Sequence, residues 1–179
     1  MNKEIEIKIK IDKEIFDRFV KNKSSFKFEK TYGYFTENYE NMSKGIFPRI
    51  KEVGDVALVS VKVKTKNDSR MFERDEYEFE IESNKTDSAR LMFKALGYGI
   101  EHVFEKKRYK LEFLNNCDFV IDELPFGYFI ELEGMEEDIE KSIKELGLDD
   151  YEKINGAYLK LWEKYKAENN LTGECVFNK

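Results

Sequence analysis

The sequence predicts an α+β protein: a closed, eight-stranded antiparallel β-barrel with helices packed outside it. Three observations lead there. From residue 3 to residue 11 the chain alternates charged residues with isoleucine, and a period of two over that length makes a strand with one apolar and one charged face. Seven further segments carry a similar pattern, separated by turn residues or by short helical stretches. The polar faces hold both signs of charge: 38% of the 179 residues are charged, yet the net is only -6. Eight strands alone fit a barrel, a sandwich or an open sheet. Helices must cover the apolar faces, and closing the sheet turns the charged faces into an interior. Eight strands leave an interior that side chains fill or that holds one small ligand. Lining it with charge is costly unless a highly charged ligand and its metal compensate.

The elements follow in order. Asp12 caps a helix beginning near Lys13, with Ile15, Phe16, Phe19 and Val20 on one side. A second strand covers 27–40, rich in Phe and Tyr, and a short third runs from Phe47 to Val53. Gly54-Asp55 turns the chain into a fourth, Ala57 to Lys66, and Asn67-Asp68-Ser69 turns it again. The fifth strand runs from Met71 to Glu82. Thr86 or Asp87 starts a helix through Ala95 that ends at Gly97. Glu101 to Phe113 is the sixth strand, Asn115-Asn116 a tight connection, and Asp118 to Leu124 the seventh. Pro125-Phe126-Gly127 leads into the eighth, Tyr128 to Glu133. Helices are expected over Glu136 to Leu146, closed by Gly147, and over Ile154 to Glu168. One domain spans 1–170, and 171–179 reads as a loose tail.

Composition excludes several classes. The 15 Phe and 10 Tyr argue against disorder, and the acidic balance against a general nucleic-acid binder. One histidine, His102, rules out His-rich zinc sites and makes a Ser-His-Asp triad an unfavoured reading; no P-loop motif occurs. Cys117 and Cys175 lack metal-type spacing and suggest free thiols inside a cell. The N-terminus lacks the apolar run of a signal peptide, and no stretch approaches the roughly 20 apolar residues of a membrane span. The expectation is a soluble, cytoplasmic protein with neither a membrane nor a nucleic acid as partner. The outer helices could pair two copies into a homodimer, though nothing marks the face.

The charged faces sort by chemistry. Glu4/Glu6 and Glu131/Glu133 set carboxylates about 7 Å apart on one side of a strand. Such hard oxygen ligands suit Mg²⁺ or Mn²⁺ shared with phosphate oxygens. Arg49, Lys51, Lys62, Lys64, Lys106, Arg108 and Lys110 suit a polyanion. Carboxylates and cations in one site are the layout of metal-assisted phosphoryl transfer. The bland alternative is a solvated sheet face of cross-strand ion pairs.

Glu4-Ile5-Glu6-Ile7-Lys8 matches the ExExK motif of the CYTH, or triphosphate tunnel metalloenzyme, superfamily, which the chain resembles. The order of the remaining motifs is similar too: Arg49-Ile50-Lys51, Lys62, Arg74 with Glu76, Lys106-Lys107-Arg108, Asp122, Glu131-Leu132-Glu133 and Ala157-Tyr158-Leu159. The match covers about residues 3–165. Two departures are visible: Tyr32-Gly33-Tyr34-Phe35 lacks the Asp that often precedes Tyr-Phe, and Lys51 stands where Arg is common. The resemblance implies a tunnel holding a triphosphate with Mg²⁺ or Mn²⁺. It implies metal ligation by Glu4, Glu6 and Glu133, and triphosphate binding by Lys8, Arg49, Lys51, Lys62, Arg74, Lys106 and Arg108. Glu76, Asp122 and Glu131 would be supporting acids, beside a second metal or paired with the cations; Glu131 thereby joins the candidate metal set. Glu4, Glu6, Lys8, Glu76 and Asp122 are the candidate catalytic residues.

The activity implied first is a metal-dependent triphosphatase acting on tripolyphosphate, thiamine triphosphate or a nucleoside triphosphate. A class IV type adenylyl cyclase and a non-catalytic polyphosphate or nucleotide binder are the alternatives. Lys64, Glu78, Glu80 and Lys110 are held as tunnel lining only, and His102 as chemically idle. Tyr158 and Trp162 are read as packing. Tyr32, Tyr34, Phe35 and Tyr39 are assigned to packing, with base stacking at the tunnel mouth as the alternative.

Overall fold

The computed structural model describes residues 2–23, 25–36, 45–65 and 72–178, without the side chains of 2–4 and 72. Chain order gives β1 (Asn2–Ile11), α1 (Lys13–Val20), β2 (Lys27–Phe35), β3 (Ile46–Val53), β4 (Val56–Lys64) and β5 (Phe72–Glu82). A turn of 3₁₀ helix leads into α2 (Thr86–Ala95), followed by β6 (Ile100–Lys110), β7 (Asp118–Leu124) and β8 (Gly127–Glu133). The chain continues through α3 (Glu136–Glu145), the two-residue β9 (Lys153–Ile154) and α4 (Tyr158–Asn169).

The sheet runs β5-β4-β3-β2-β6-β7-β8-β1, and β5 pairs back onto β1, so eight antiparallel strands close into the expected barrel. Closure leaves none of the eight with a fully open edge, which removes the usual template for edge aggregation. β1 holds β5 along residues 2–6; where β5 has left that edge, β9 takes its place opposite Lys8 and Ile9.

Period two decides what each strand buries. The outward set Ile7, Ile9 and Ile11 packs with Phe119, Ile121, Ile130 and Leu132 beneath Phe16 of α1 and Ile139 and Ile143 of α3. Asp12 caps α1 as its composition predicts, accepting from the Ile15 N–H at 2.8 Å. On the opposite flank Tyr32, Tyr34, Ile50, Ala57 and Val59 pack under Ala89 and Phe93 of α2. Near one end the inward positions change character: Phe104, Leu124 and Phe129 are apolar, and Tyr158, Leu159 and Trp162 of α4 pack on them. Charge therefore concentrates in the remainder of the lumen.

Three expectations need correction. The last helix begins at Tyr158, because Ile154 is taken into β9 against Lys8 and Asn155-Gly156-Ala157 turns away before the helix starts. The sixth strand ends at Lys110; Leu114 then pairs with Cys117 across Asn115 and Asn116, both left-handed at φ 48° and 60°, the backbone a tight primed hairpin turn demands. The stretch after Asn169, expected to be loose, lays buried Cys175 beside Phe104, with the Glu105 N–H donating to its carbonyl at 2.8 Å. Residues 37–40 of the expected second strand, Lys66 and the turn at 67–69 lie outside the described residues. No helix among the described residues is long and apolar enough to cross a membrane.

Candidate functional site

The lumen holds a cavity of about 1380 Å³. Two ion-pair networks stand on its walls. On β6, β7, β8 and β1 the centre is Asp122, which is 0% exposed. Arg108 grips it with two bonds, Nε to Oδ1 at 2.8 Å and Nη2 to Oδ2 at 2.7 Å, and also donates to Glu131 Oε1 at 2.8 Å. Lys106 Nζ lies 3.0 Å from Asp122 Oδ2, and the Tyr158 hydroxyl donates to the same oxygen at 2.9 Å. Lys8 joins through Glu6, to which its ammonium is bonded, and through Glu131 at 3.4 Å. On β3, β4 and β5 the centre is Glu76: Arg49 Nη2 donates to Oε1 at 2.6 Å, Lys62 Nζ lies 3.3 Å from Oε2, and Arg49 Nε is fixed by Ser60 Oγ at 2.8 Å.

Glu131, Asp122, Glu76 and Lys8 are held in their ionised forms by their neighbours. Burial pushes the Glu131 carboxyl upward, but Arg108 and Lys8 outweigh it and hold the group well below the usual carboxylate range. The same contest, won by Arg108 and Lys106, lowers Asp122; won by Arg49 and Lys62, it lowers Glu76. Burial works to lower Lys8, but Glu6 and Glu131 raise it. The Tyr158 hydroxyl is raised well above its ordinary value, first by burial and then by Asp122.

Glu6, Lys8, Arg49, Lys51, Lys62, Arg74, Glu76, Lys106, Arg108, Glu131 and Glu133 all line this one cavity. Asp122 sits behind the wall and acts as a countercharge that positions Arg108 and Lys106. The side chain of Glu4 lies outside the described residues. Of the residues held as lining, Lys64 and Glu78 border the cavity, whereas Lys110 does not: it shares the phase of Lys106 and Arg108 but stands at the last position of β6, its side chain 75% exposed and 3.4 Å from Asp118. Glu80 is also exposed and away from the cavity wall. Tyr158 is more than packing, through its bond to Asp122. Glu29 escaped sequence reasoning: it is 4% exposed, lines the cavity and reaches Lys106 at 3.3 Å. Its signal was weak, one acid in phase with Thr31 on a strand dominated by aromatics.

Lys51 differs from the other cations. Among the described residues it has no ion pair, and burial together with Arg49 lowers its ammonium below the ordinary lysine value. Glu29 and Glu78 oppose that shift and Lys106 adds to it, so like charges and desolvation prevail. A polyanion arriving in the cavity raises Lys51 again. Between the free and bound values, binding therefore takes up a proton, and affinity falls as pH rises through that range. Calorimetry of tripolyphosphate binding over a series of pH values below the ordinary lysine value of about 10.4, in two buffers of different ionisation enthalpy, should register this uptake in the wild type and not in Lys51→Met. Equal proton uptake in both would remove the assignment.

Glu6 and Glu133 are register partners on β1 and β8, and both line the cavity. Like charges directly opposite each other on a sheet repel. A hard divalent cation between them turns that repulsion into ligation, so the donor set fits Mg²⁺ or Mn²⁺. Among the described residues, no cluster of three or more His, Cys, Asp or Glu side chains is arranged to hold a metal; a complete ligand set needs Glu4, phosphate oxygens or water.

No protein-family model matches the chain, and no curated relative does. Solved structures do match. A Pyrococcus horikoshii protein is similar at 23% identity and TM-score 0.66, over 90% of this chain and 99% of that one. A candidate adenylate cyclase from Bacillus halodurans is similar at 17% identity and TM-score 0.63, over 83% and 93%. A candidate adenylyl cyclase from Hippeastrum, described as having a dominant triphosphatase activity, is similar at 16% identity and TM-score 0.59, over 92% and 96%. At these identities the likeness is one of fold, and the fold is the tunnel barrel that the CYTH resemblance implies.

Proposed function

We propose that the protein is a divalent-metal-dependent triphosphatase whose substrate lies along the barrel lumen. The observation that carries this reading is the pair of networks centred on Asp122 and Glu76, which gather Arg108, Lys106, Lys8, Arg49 and Lys62 around one cavity. Such an array is costly to bury for stability alone. It is suited to a linear polyanion, whose oxygens replace carboxylates as partners of the cations.

Arg49 and Arg108 present planar forks that bind phosphate oxygens in fixed orientation, while Lys62 and Lys106 act as point charges. Lys8 stays protonated beside Glu6 and Glu131 and offsets charge as it develops. Glu6 and Glu133, with Glu4, would hold Mg²⁺ or Mn²⁺, which when bound draws charge from the phosphate oxygens. Water attacks the terminal phosphorus, the bridging P–O bond breaks, and orthophosphate leaves with a diphosphate product. Asp122 keeps Arg108 and Lys106 aimed at the lumen throughout.

Cyclisation is the second reading, because two of the similar folds are described as candidate adenylate cyclases. One experiment separates them. Purified protein is incubated with tripolyphosphate, thiamine triphosphate or ATP and Mg²⁺ or Mn²⁺, and products are followed by phosphorus NMR. Orthophosphate is expected. Pyrophosphate with cyclic AMP, from ATP alone, replaces the triphosphatase by a cyclase; binding without any product leaves a sensor.

A further inference from the structure

We propose that one end of the cavity carries an aromatic wall that receives the flat heteroaromatic group of an organic triphosphate, making the substrate an ester in preference to inorganic tripolyphosphate. This rests on the reading of the cation cluster as a triphosphate site.

The wall crosses three neighbouring strands in the order β6, β2, β3. His102 is in phase with Lys106 and Arg108, Phe35 with Glu29 and Thr31, and Phe47 with Arg49 and Lys51, so all three face inward. They border the same cavity as the cations. The rings touch in sequence: Phe35 to Phe47 at 5.1 Å between centroids, and Phe35 to His102 at 5.6 Å edge to face. Gly33 permits this surface, since a Cβ there would stand 2.7 Å from Phe47 Cζ. The Phe47 ring occupies the room that a side chain on β2 would take, and lies against the barrel wall.

Packing accounts for the neighbours of Phe35 but not for Phe35 itself. Tyr32 and Tyr34, 8% and 0% exposed, turn outward beneath α2; Phe35 turns inward and stays 39% exposed. The side chain of His102 is 31% exposed, its Nδ1 3.9 Å from Glu174 Oε2. Apolar ring surface left wet inside a lumen is unfavourable until something flat covers it. Continuity names the occupant. Arg49 follows Phe47 by two residues, about 7 Å along the same inward face, so one ligand reaches both rings and cations. Ring stacking also tolerates different bases, because each has a π-face.

The test compares ligands within one protein. Metal-free calorimetry gives dissociation constants for ATP, thiamine triphosphate and inorganic tripolyphosphate with wild type, Phe35→Ala and Phe47→Ala. At least one ester should lose about ten-fold in affinity in the variants while tripolyphosphate changes by less than about two-fold. Phe47→Leu keeps apolar bulk over Gly33 and removes the ring, which serves if the alanine variant does not fold. Equal loss for all ligands, or none for either ester, overturns the aromatic wall. Failure of the wild type to bind tripolyphosphate overturns the cation-cluster reading instead, before any variant is compared.

Discussion

Replacing Glu6 by Gln should lower metal-dependent triphosphate turnover by about a hundred-fold or more and raise the Mg²⁺ concentration needed for half-maximal rate. Glu6 is 4% exposed, lines the cavity and stands opposite Glu133 across β1 and β8. Two carboxylates in that register suit a divalent cation between them, and the amide removes half of the charge that this pair offers it. Its oxygen still accepts from the Lys8 ammonium, so the lysine keeps a partner and the barrel keeps its register. That separates a lost ligand from a lost fold: the thermal midpoint without metal should hold while the metal requirement shifts. Glu133→Gln should move both readouts in the same direction. Wild-type turnover at ordinary Mg²⁺ in both variants would sink the assignment of this pair as the metal site.

Much of the barrel is legible because strands encode their own faces. Ile5, Ile7 and Ile9 alternate with Glu6 and Lys8, and no helix tolerates that period with one face buried. Turns were equally local: Asn115-Asn116 and Pro125-Phe126-Gly127 carry the residues that left-handed or fixed φ values require. What was hidden depends on distant partners. Ile154 sits before Gly156 in a stretch that reads as helix, and only pairing with Lys8 on β1 makes it strand. Cys175 lies in a short tail without a clear period, and its burial comes from an edge of β6 that β7 leaves free. Within the site, phase along a strand tells which side chains point inward but not how deep they lie. Glu131 and Asp122 share that property, yet one borders the cavity and the other is sealed behind Tyr158. Depth is set by α4, whose contact with the barrel end no local pattern announces. The inward aromatics were obscured for a related reason. Tyr32, Tyr34 and Phe35 look alike in sequence, and a single step of phase sends Phe35 into the lumen.

Asp122→Ala should destabilise the fold by about 3–5 kcal/mol, since it strands two buried or partly buried cations and a buried hydroxyl at once. Arg108 loses two hydrogen bonds, Lys106 keeps Glu29 as its ion-pair partner among the described residues, and Tyr158 loses the hydrogen bond that helps tie α4 to the barrel. Asp122→Asn should cost less, because the amide oxygen still accepts, but it leaves Arg108 and Lys106 with only part of their countercharge, on Glu131 and Glu29. Acid gives an independent signature. Burial alone would raise the Asp122 carboxyl, yet Arg108 and Lys106 hold it below the ordinary value, so its folded pKa is depressed. A depressed carboxylate contributes stability that is present above the unfolded value of about 3.9 and is lost as pH falls through the folded one. Urea midpoints measured from neutral pH downward should therefore fall more steeply for the wild type than for Asp122→Asn, the two curves converging in acid. Because Asp122 does not border the cavity, tripolyphosphate should partly restore the variant: its oxygens can take over Arg108 and Lys106, and a ligand that binds only the native state raises apparent stability. A variant with the wild-type midpoint and the wild-type acid slope would show that the cations do not need this carboxylate.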